Sequence, residues 1–197
     1  MSQPKPRKLP NQPHKFKKKM KMNDYEFILK FALPDNDADP DGYVLRLEAA
    51  GCDDALIGLG KKGRIALEFI RSASSAKEAV VSALADVRKA IPGARLIEVG
   101  PDLVGLTDIA EFMRCTRQNV YKTSMTDSLF PMAVHEGSSE LFHMIDVLNW
   151  LKDARGKPVN SVLLETSMIA RDINLARELN RLPTKQLDPE IQQACFA

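Results

Sequence analysis

Gly105-Leu106-Thr107-Asp108-Ile109-Ala110-Glu111-Phe112-Met113-Arg114-Cys115-Thr116-Arg117-Gln118-Asn119-Val120-Tyr121-Lys122 holds two candidate helix starts close together in the middle of the chain. Thr107 and Thr116 each stand where a side-chain oxygen accepts the amide protons that a first helical turn leaves unpaired. Two short helices fit, with Arg114 and Cys115 as the turn between them. Ile109, Met113, Cys115 and Val120 supply the apolar clamp, and Ala110 is small where the second helix passes close. The residues left outside are polar: Thr116, Arg117, Gln118, Tyr121 and Lys122. This is the layout of a helix-turn-helix whose second helix, over 116–125, offers its N-terminal residues to base edges in the major groove.

Downstream, Phe130 to Val134, the turn Glu136-Gly137-Ser138-Ser139, and Glu140 to Phe142 read as two short strands. His143 to Arg155 reads as an amphipathic helix carrying Ile145, Val147, Leu148, Trp150 and Leu151. A helix-turn-helix, a small wing and a closing helix make a winged domain over 103–155.

These residues resemble the winged helix-turn-helix of the MerR/excisionase-like family. The resemblance rests on Leu106-Thr107 opening the first helix, Ile109-Ala110-Glu111 within it, Thr116-Arg117-Gln118-Asn119-Val120-Tyr121 as recognition helix, Phe130-Pro131 before the wing, and Asp146-Val147-Leu148-Asn149-Trp150-Leu151 as the ending. It implies a transcriptional regulator, or a small excision or recombination accessory factor. The sequence departs from the family at two places. Arg114 stands in the turn where that family usually has glycine, and the wing offers His135, Glu136 and Glu140 where a basic residue is usual.

The formal charge of +2 conceals an asymmetry. Residues 1–22 hold Lys5, Arg7, Lys8, Lys15, Lys17, Lys18, Lys19 and Lys21 and no acid, so they carry eight positive charges and leave the rest of the chain at about −6. With four prolines and few apolar residues, this arm reads as disordered. Its lysines, Lys15, Lys17, Lys18, Lys19 and Lys21, suit a phosphate backbone through counterion release.

Residues 23–100 read as strand, helix, strand, strand, helix, strand, the order of a ferredoxin-like two-layer α+β domain. Tyr25 to Leu33 is the first strand, Asp39-Pro40 starts a helix that buries Val44, Leu45, Leu47 and Ala50, and residues 56–71 form a hairpin. Ser75 with Glu78 is a capping box for a helix burying Val80, Val81, Leu84 and Val87, and Arg95 to Val99 closes the sheet. Asp37, Asp39, Asp41, Gly42 and Glu48 match the spacing of an EF-hand calcium loop, but a strand where the entering helix should be makes Asp39-Pro40 a helix start first.

After a break at Gly156-Lys157-Pro158, residues 158–197 read as a helical extension, with a long helix over 162–182 and a short one from Asp188-Pro189. This extension either packs back on its own chain or forms a homodimer.

An enzyme is not expected. His14, His135 and His143 lie in no nucleophile or zinc signature, and Gly58-Leu59-Gly60 belongs to a hairpin turn rather than a phosphate loop. No catalytic residue, metal site or cofactor follows from the sequence. Cys52, Cys115 and Cys195 form no disulfide framework, no apolar run is long enough to span a bilayer, and a reducing cytoplasm is the expected home. The sequence therefore points to a cytoplasmic, sequence-specific binder of double-stranded DNA. Arg117 is expected to donate to guanine and Gln118 to pair with adenine, while Lys122 and the arm hold phosphate, and Arg114, Thr116 and Tyr121 complete the DNA-binding set. A protein-interaction adaptor or antitoxin-like partner, acting through the N-terminal domain or the C-terminal helices, is the alternative that the acidic body favours.

Overall fold

A computed structural model describes residues 21–34, 40–59, 61–184 and 186–196, and shows a mixed α+β chain with two antiparallel sheets. The larger sheet contains β1 (Asn23–Ala32), β2 (Ala55–Gly58), β3 (Arg64–Ala73) and β4 (Arg95–Gly100) in the order β2-β3-β1-β4, with every neighbouring pair antiparallel. Period-two alternation sets its two faces. Tyr25, Phe27, Leu29 and Phe31 of β1 and Ile65, Leu67 and Phe69 of β3 are buried, while Glu26, Lys30, Arg64, Glu68 and Ile70 face outward. Phe27 lies directly opposite Phe69, and their rings stack with centroids 5.1 Å apart.

Helices α1 (Pro40–Ala50) and α2 (Ala76–Ala90) cover the buried face. Ser75 caps α2 by accepting the Glu78 amide, and Glu78 reaches back to the amide of Ser74 rather than that of Ser75. The buried positions differ from those the sequence suggests. Tyr43 and Leu47, one helical turn apart, anchor α1, while Leu45 is exposed. Ala79 and Ala83 join Val80, Leu84 and Val87 beneath α2, while Val81 is half-exposed. Small residues at 79 and 83 let the helix lie close to the sheet.

The second unit is built on β5 (Leu103–Gly105), α3 (Leu106–Met113), α4 (Arg117–Thr126), β6 (Leu141–His143) and α5 (Met144–Asn149), which continues as a π-helical turn over Trp150–Ala154. β6 pairs with β5, with Val104 opposite Phe142. The strand expected over Phe130 to Val134 is absent; an isolated bridge from His135 to Leu141 is the only pairing there. Phe130 is instead an anchor of the core, edge-on to Phe142 at 5.5 Å and to Trp150 at 4.9 Å, and Pro131 after it has no N–H to give a ladder. His143 ends β6 rather than starting the following helix.

α6 (Ser161–Leu179) joins the two units. Ala170 is fully buried in the core of the large sheet, and Leu163 and Leu164 pack on the core of the second unit. The C-terminal segment therefore packs back on its own chain through α6. α7 (Pro189–Phe196) follows, its first turn capped by Asp188, which accepts the Glu190 amide at 2.8 Å.

Four lysines of the basic arm, Lys15, Lys17, Lys18 and Lys19, lie outside the described residues, whereas Lys21 is exposed ahead of β1. Asp37 and Asp39 of the calcium pattern also lie outside them, and Asp41 and Glu48 fall within α1. Among the described residues no group of three or more His, Cys, Asp or Glu side chains is placed to hold a metal ion, and no helix is long and apolar enough to cross a membrane.

Candidate nucleic-acid interface

α3 begins two residues earlier than a Thr107 cap would set it, at Leu106 rather than Asp108. Gly105 is the N-cap, and Asp108 accepts the Gly105 amide at 2.7 Å, so the carboxylate supplies the reciprocal half of a cap and favours the positive end of the helix. Thr107 lies inside the first turn. Leu106, Ile109 and Ala110 are buried, and Met113 and Cys115 are partly buried against the same core. Arg114 closes α3 in the left-handed conformation, φ 54° and ψ 46°, and among the described residues it alone has positive φ without being glycine. The turn geometry is that of a glycine; the side chain is that of a cation. Cys115 then donates its amide to the Ala110 carbonyl at 2.9 Å, satisfying a helix end that would otherwise be open.

Thr116 caps α4, its hydroxyl accepting the Asn119 amide at 3.2 Å, and Val120 is buried at 1% exposure as the contact that holds α4 on α3. Every other residue of the first turn and a half points away. Arg117, Gln118, Tyr121 and Lys122 are exposed together on one face, beside Thr116 and Arg114, which are exposed as well. Among the described residues none of Arg117, Gln118, Tyr121 and Lys122 spends its side chain on a hydrogen bond or ion pair. A helix surface carrying a guanidinium, an amide, a phenol and an ammonium, all unspent, can donate to and accept from base edges and phosphates.

The C-terminal end of α4 is fixed by Asp127. Its carboxylate accepts the Leu129 amide at 3.0 Å and the Trp150 indole N–H at 3.1 Å and forms an ion pair with Arg155, whose Nε is 3.1 Å away, while the Arg155 guanidinium lies 5.1 Å over the Trp150 ring. These partners, the Leu129 amide first, hold the Asp127 carboxyl below its ordinary value. The π-helical turn that follows α5 thus holds the end of α4. In the segment expected to form the wing, His135 and Glu136 are exposed and Glu140 is half-buried, so Glu136 and Glu140 give that side carboxylates rather than a lysine or arginine. A Cβ at Gly137 would meet His135 Nε2 at 2.6 Å, a contact that the exposed imidazole can relieve by moving.

Two polar clusters had no signature in the sequence. Asp102, only 2% exposed, places one carboxylate oxygen 2.6 Å from His143 Nδ1 and accepts Asn174 Nδ2 on the other at 2.7 Å. Asn174 in turn exchanges two bonds with the main chain of Val99, at 2.9 and 2.8 Å. Strand β4, strand β6 and helix α6 are pinned at one point, and every oxygen of the buried carboxylate has a partner. In the other cluster Arg71 binds Asp54 through two bonds of 2.7 and 2.9 Å, Asp86 at 2.7 Å, Ser82 at 3.1 Å and the Gly51 carbonyl at 2.8 Å. Hydrogen bonds to Asp54 and Asp86 raise the Arg71 pKa, so the guanidinium stays charged. Both clusters assemble residues far apart in the chain, which no local pattern announces.

Neither family models, nor curated proteins, nor solved structures provide a match to this chain.

Proposed function

We propose that this protein is a sequence-specific DNA-binding protein, a transcriptional regulator that places α4 in the major groove. The observation that carries the reading is the unspent polar face of Arg117, Gln118, Tyr121 and Lys122 on a helix that a buried Val120 and the Asp127 clamp hold rigidly. Rigid presentation is what base reading requires, because a loosely held side chain forfeits its pairing energy to ordering. Arg117 is a donor pair for guanine and Gln118 a matched pair for adenine. Arg114, Lys122 and the lysines of the arm, Lys21 among them, contact phosphate. The reading includes a ferredoxin-like first domain, supported by the strand order β2-β3-β1-β4, and a winged helix-turn-helix whose wing is reduced to the β5–β6 pair. An excision or recombination accessory factor would use the same surface.

One observation favours a different class. Met125, Leu129 and Met132 are 68%, 67% and 89% exposed at and just beyond the end of α4, an apolar surface suited to a protein partner. The adaptor reading would use it.

Selection of duplexes from a random pool, followed by titration at several salt concentrations, separates the two. A recovered consensus with a salt slope that is similar on consensus and scrambled duplexes supports base reading by α4 over a shared phosphate term. Recovery of no consensus, with all binding equally salt-sensitive, overturns it.

A further inference from the structure

α6 runs beside one edge of the large sheet. Its Glu165 accepts the Tyr25 hydroxyl at 3.0 Å near the start of β1, Asn174 exchanges bonds with the main chain of Val99 in β4, and Arg177 follows in the last turn with Arg181 just beyond it. At that end of the sheet Ala32 of β1 lies opposite Arg95 of β4. A hollow of about 300 Å³ opens there, walled by Ala32, Arg95, Leu96, Ile97, Arg177 and Arg181. Two parts of the chain that are far apart in sequence thus bring three guanidiniums to one concavity.

Their charge is only partly answered. Glu178 pairs with Nη2 of Arg177 and, at 3.1 Å, with Nη1 of Arg181. Three guanidiniums against one carboxylate leave a surplus of two positive charges. Arg95 is exposed and, among the described residues, its side chain makes no hydrogen bond or ion pair. Arg177 Nε is buried and has no hydrogen-bond partner. The negative end of a helix accounts for Arg177 and Arg181, because cations are favoured there. It does not account for Arg95, which β4 brings to the same hollow, nor for a buried guanidinium N–H left without an acceptor, which costs free energy until one is supplied.

We propose that this hollow binds the phosphate group of a small phosphorylated molecule. A phosphomonoester carries about −1.5 to −2 charges at pH 7 and three acceptor oxygens, which match the surplus charge and the three donors; a carboxylate has one charge and two oxygens. Arginine suits this task better than lysine, since its planar fork grips two phosphate oxygens at once. Ala32, Leu96 and Ile97 form the apolar part of the wall, against which the rest of the molecule packs. The volume stands at the lower limit of the roughly 300 to 1,000 Å³ usual for small-molecule sites. Every lining residue belongs to the large sheet or to the end of α6, so the site is separate from α4 and holds whether or not α4 reads DNA.

The test is a titration of the isotope-labelled full-length protein with phenyl phosphate, followed through the NMR signals of the arginine Nε–H groups, each assigned from the variant that lacks it. The signals of Arg95, Arg177 and Arg181 are expected to move together in one saturable transition. Arg95→Gln and Arg181→Gln, both at exposed positions, should each weaken that transition about tenfold or more, and benzoate, the matching carboxylate, should bind about tenfold more weakly than phenyl phosphate. Circular dichroism of both variants checks that the fold is kept. No saturable movement below about 10 mM phenyl phosphate, variants that bind as wild type does, or benzoate binding as tightly as phenyl phosphate would each overturn the proposal. Movement of the same three signals by a DNA duplex but not by phenyl phosphate would overturn it too, because the phosphate would then be that of a nucleic-acid backbone.

Discussion

Trp150 donates its indole N–H to Asp127 Oδ2 at 3.1 Å, an oxygen that is also ion-paired with Arg155, its Nε 3.1 Å away. Through this bond the π-helical turn that follows α5 holds the end of α4. Trp150→Phe keeps the aromatic packing on Phe130 but deletes the donor, so it is expected to lower the thermal midpoint and to weaken every duplex by a similar factor. Thermal denaturation with parallel binding to selected and scrambled duplexes checks this; loss confined to one sequence would mean that Trp150 acts on base reading itself.

The same carboxylate gives the second unit an acid-labile contact. Because the folded state depresses the Asp127 pKa, its contribution to stability is fully present above the ordinary value of 3.8 and is lost as pH falls through the depressed folded value. Asp127→Asn should flatten that part of the stability profile, measured by denaturant unfolding between pH 5 and pH 2 at about unit intervals. An unchanged profile would show that other carboxylates govern the acid limb.

Arg114 occupies a left-handed position at φ 54°. Arg114→Gly relieves the Cβ clash and is expected to stabilise the fold by about 0.5–1 kcal/mol, the gain being trimmed by glycine's greater freedom in the unfolded chain. The same substitution removes a cation beside α4, so affinity for all duplexes should fall and the salt slope should decrease by about one. A more stable protein with weaker, sequence-independent loss of binding would show that stability is sacrificed at this turn for phosphate contact.

Arg71 serves two carboxylates at once, Asp54 and Asp86. Arg71→Met leaves both without their cation and should destabilise the chain by about 3 kcal/mol, the lower part of the range for breaking a buried pair because both acids are partly exposed. Denaturant unfolding measures it. Cys52 lies nearby, where burial, with the Asp86 charge adding to it, pushes its thiol up to about 11, so at neutral pH it should resist alkylation until the protein unfolds, while exposed Cys195 reacts at once. Peptide mapping after brief alkylation of the native protein reads the order.

Legibility from the sequence followed the range of the forces involved. The hairpin, the cap at Ser75 and the turn between α3 and α4 depend on neighbours, and their spacing announces them. The start of α3 was displaced because Asp108 caps the Gly105 amide from within the helix, which removes the need for Thr107. The expected first wing strand gave way because Phe130 is worth more as a core ring than as a strand residue. The exposed set of Arg114, Thr116, Arg117, Gln118, Tyr121 and Lys122 could be read in advance, since amphipathicity around Val120 leaves them outside. Asp102, His143 and Asn174 could not, because they meet only when α6 crosses from one unit to the other.

The most direct test of base reading by α4 is a double-mutant cycle between Arg117→Ala and the guanine-containing pairs of the selected duplex, measured as dissociation constants at fixed salt. Base reading by Arg117 predicts a loss of about 1–3 kcal/mol for Arg117→Ala on the preferred site, and no further loss when one particular guanine pair is replaced, because residue and base then act as a single contact. Equal loss on preferred and scrambled duplexes, with additivity at every base pair, would contradict it and reduce Arg117 to a phosphate contact.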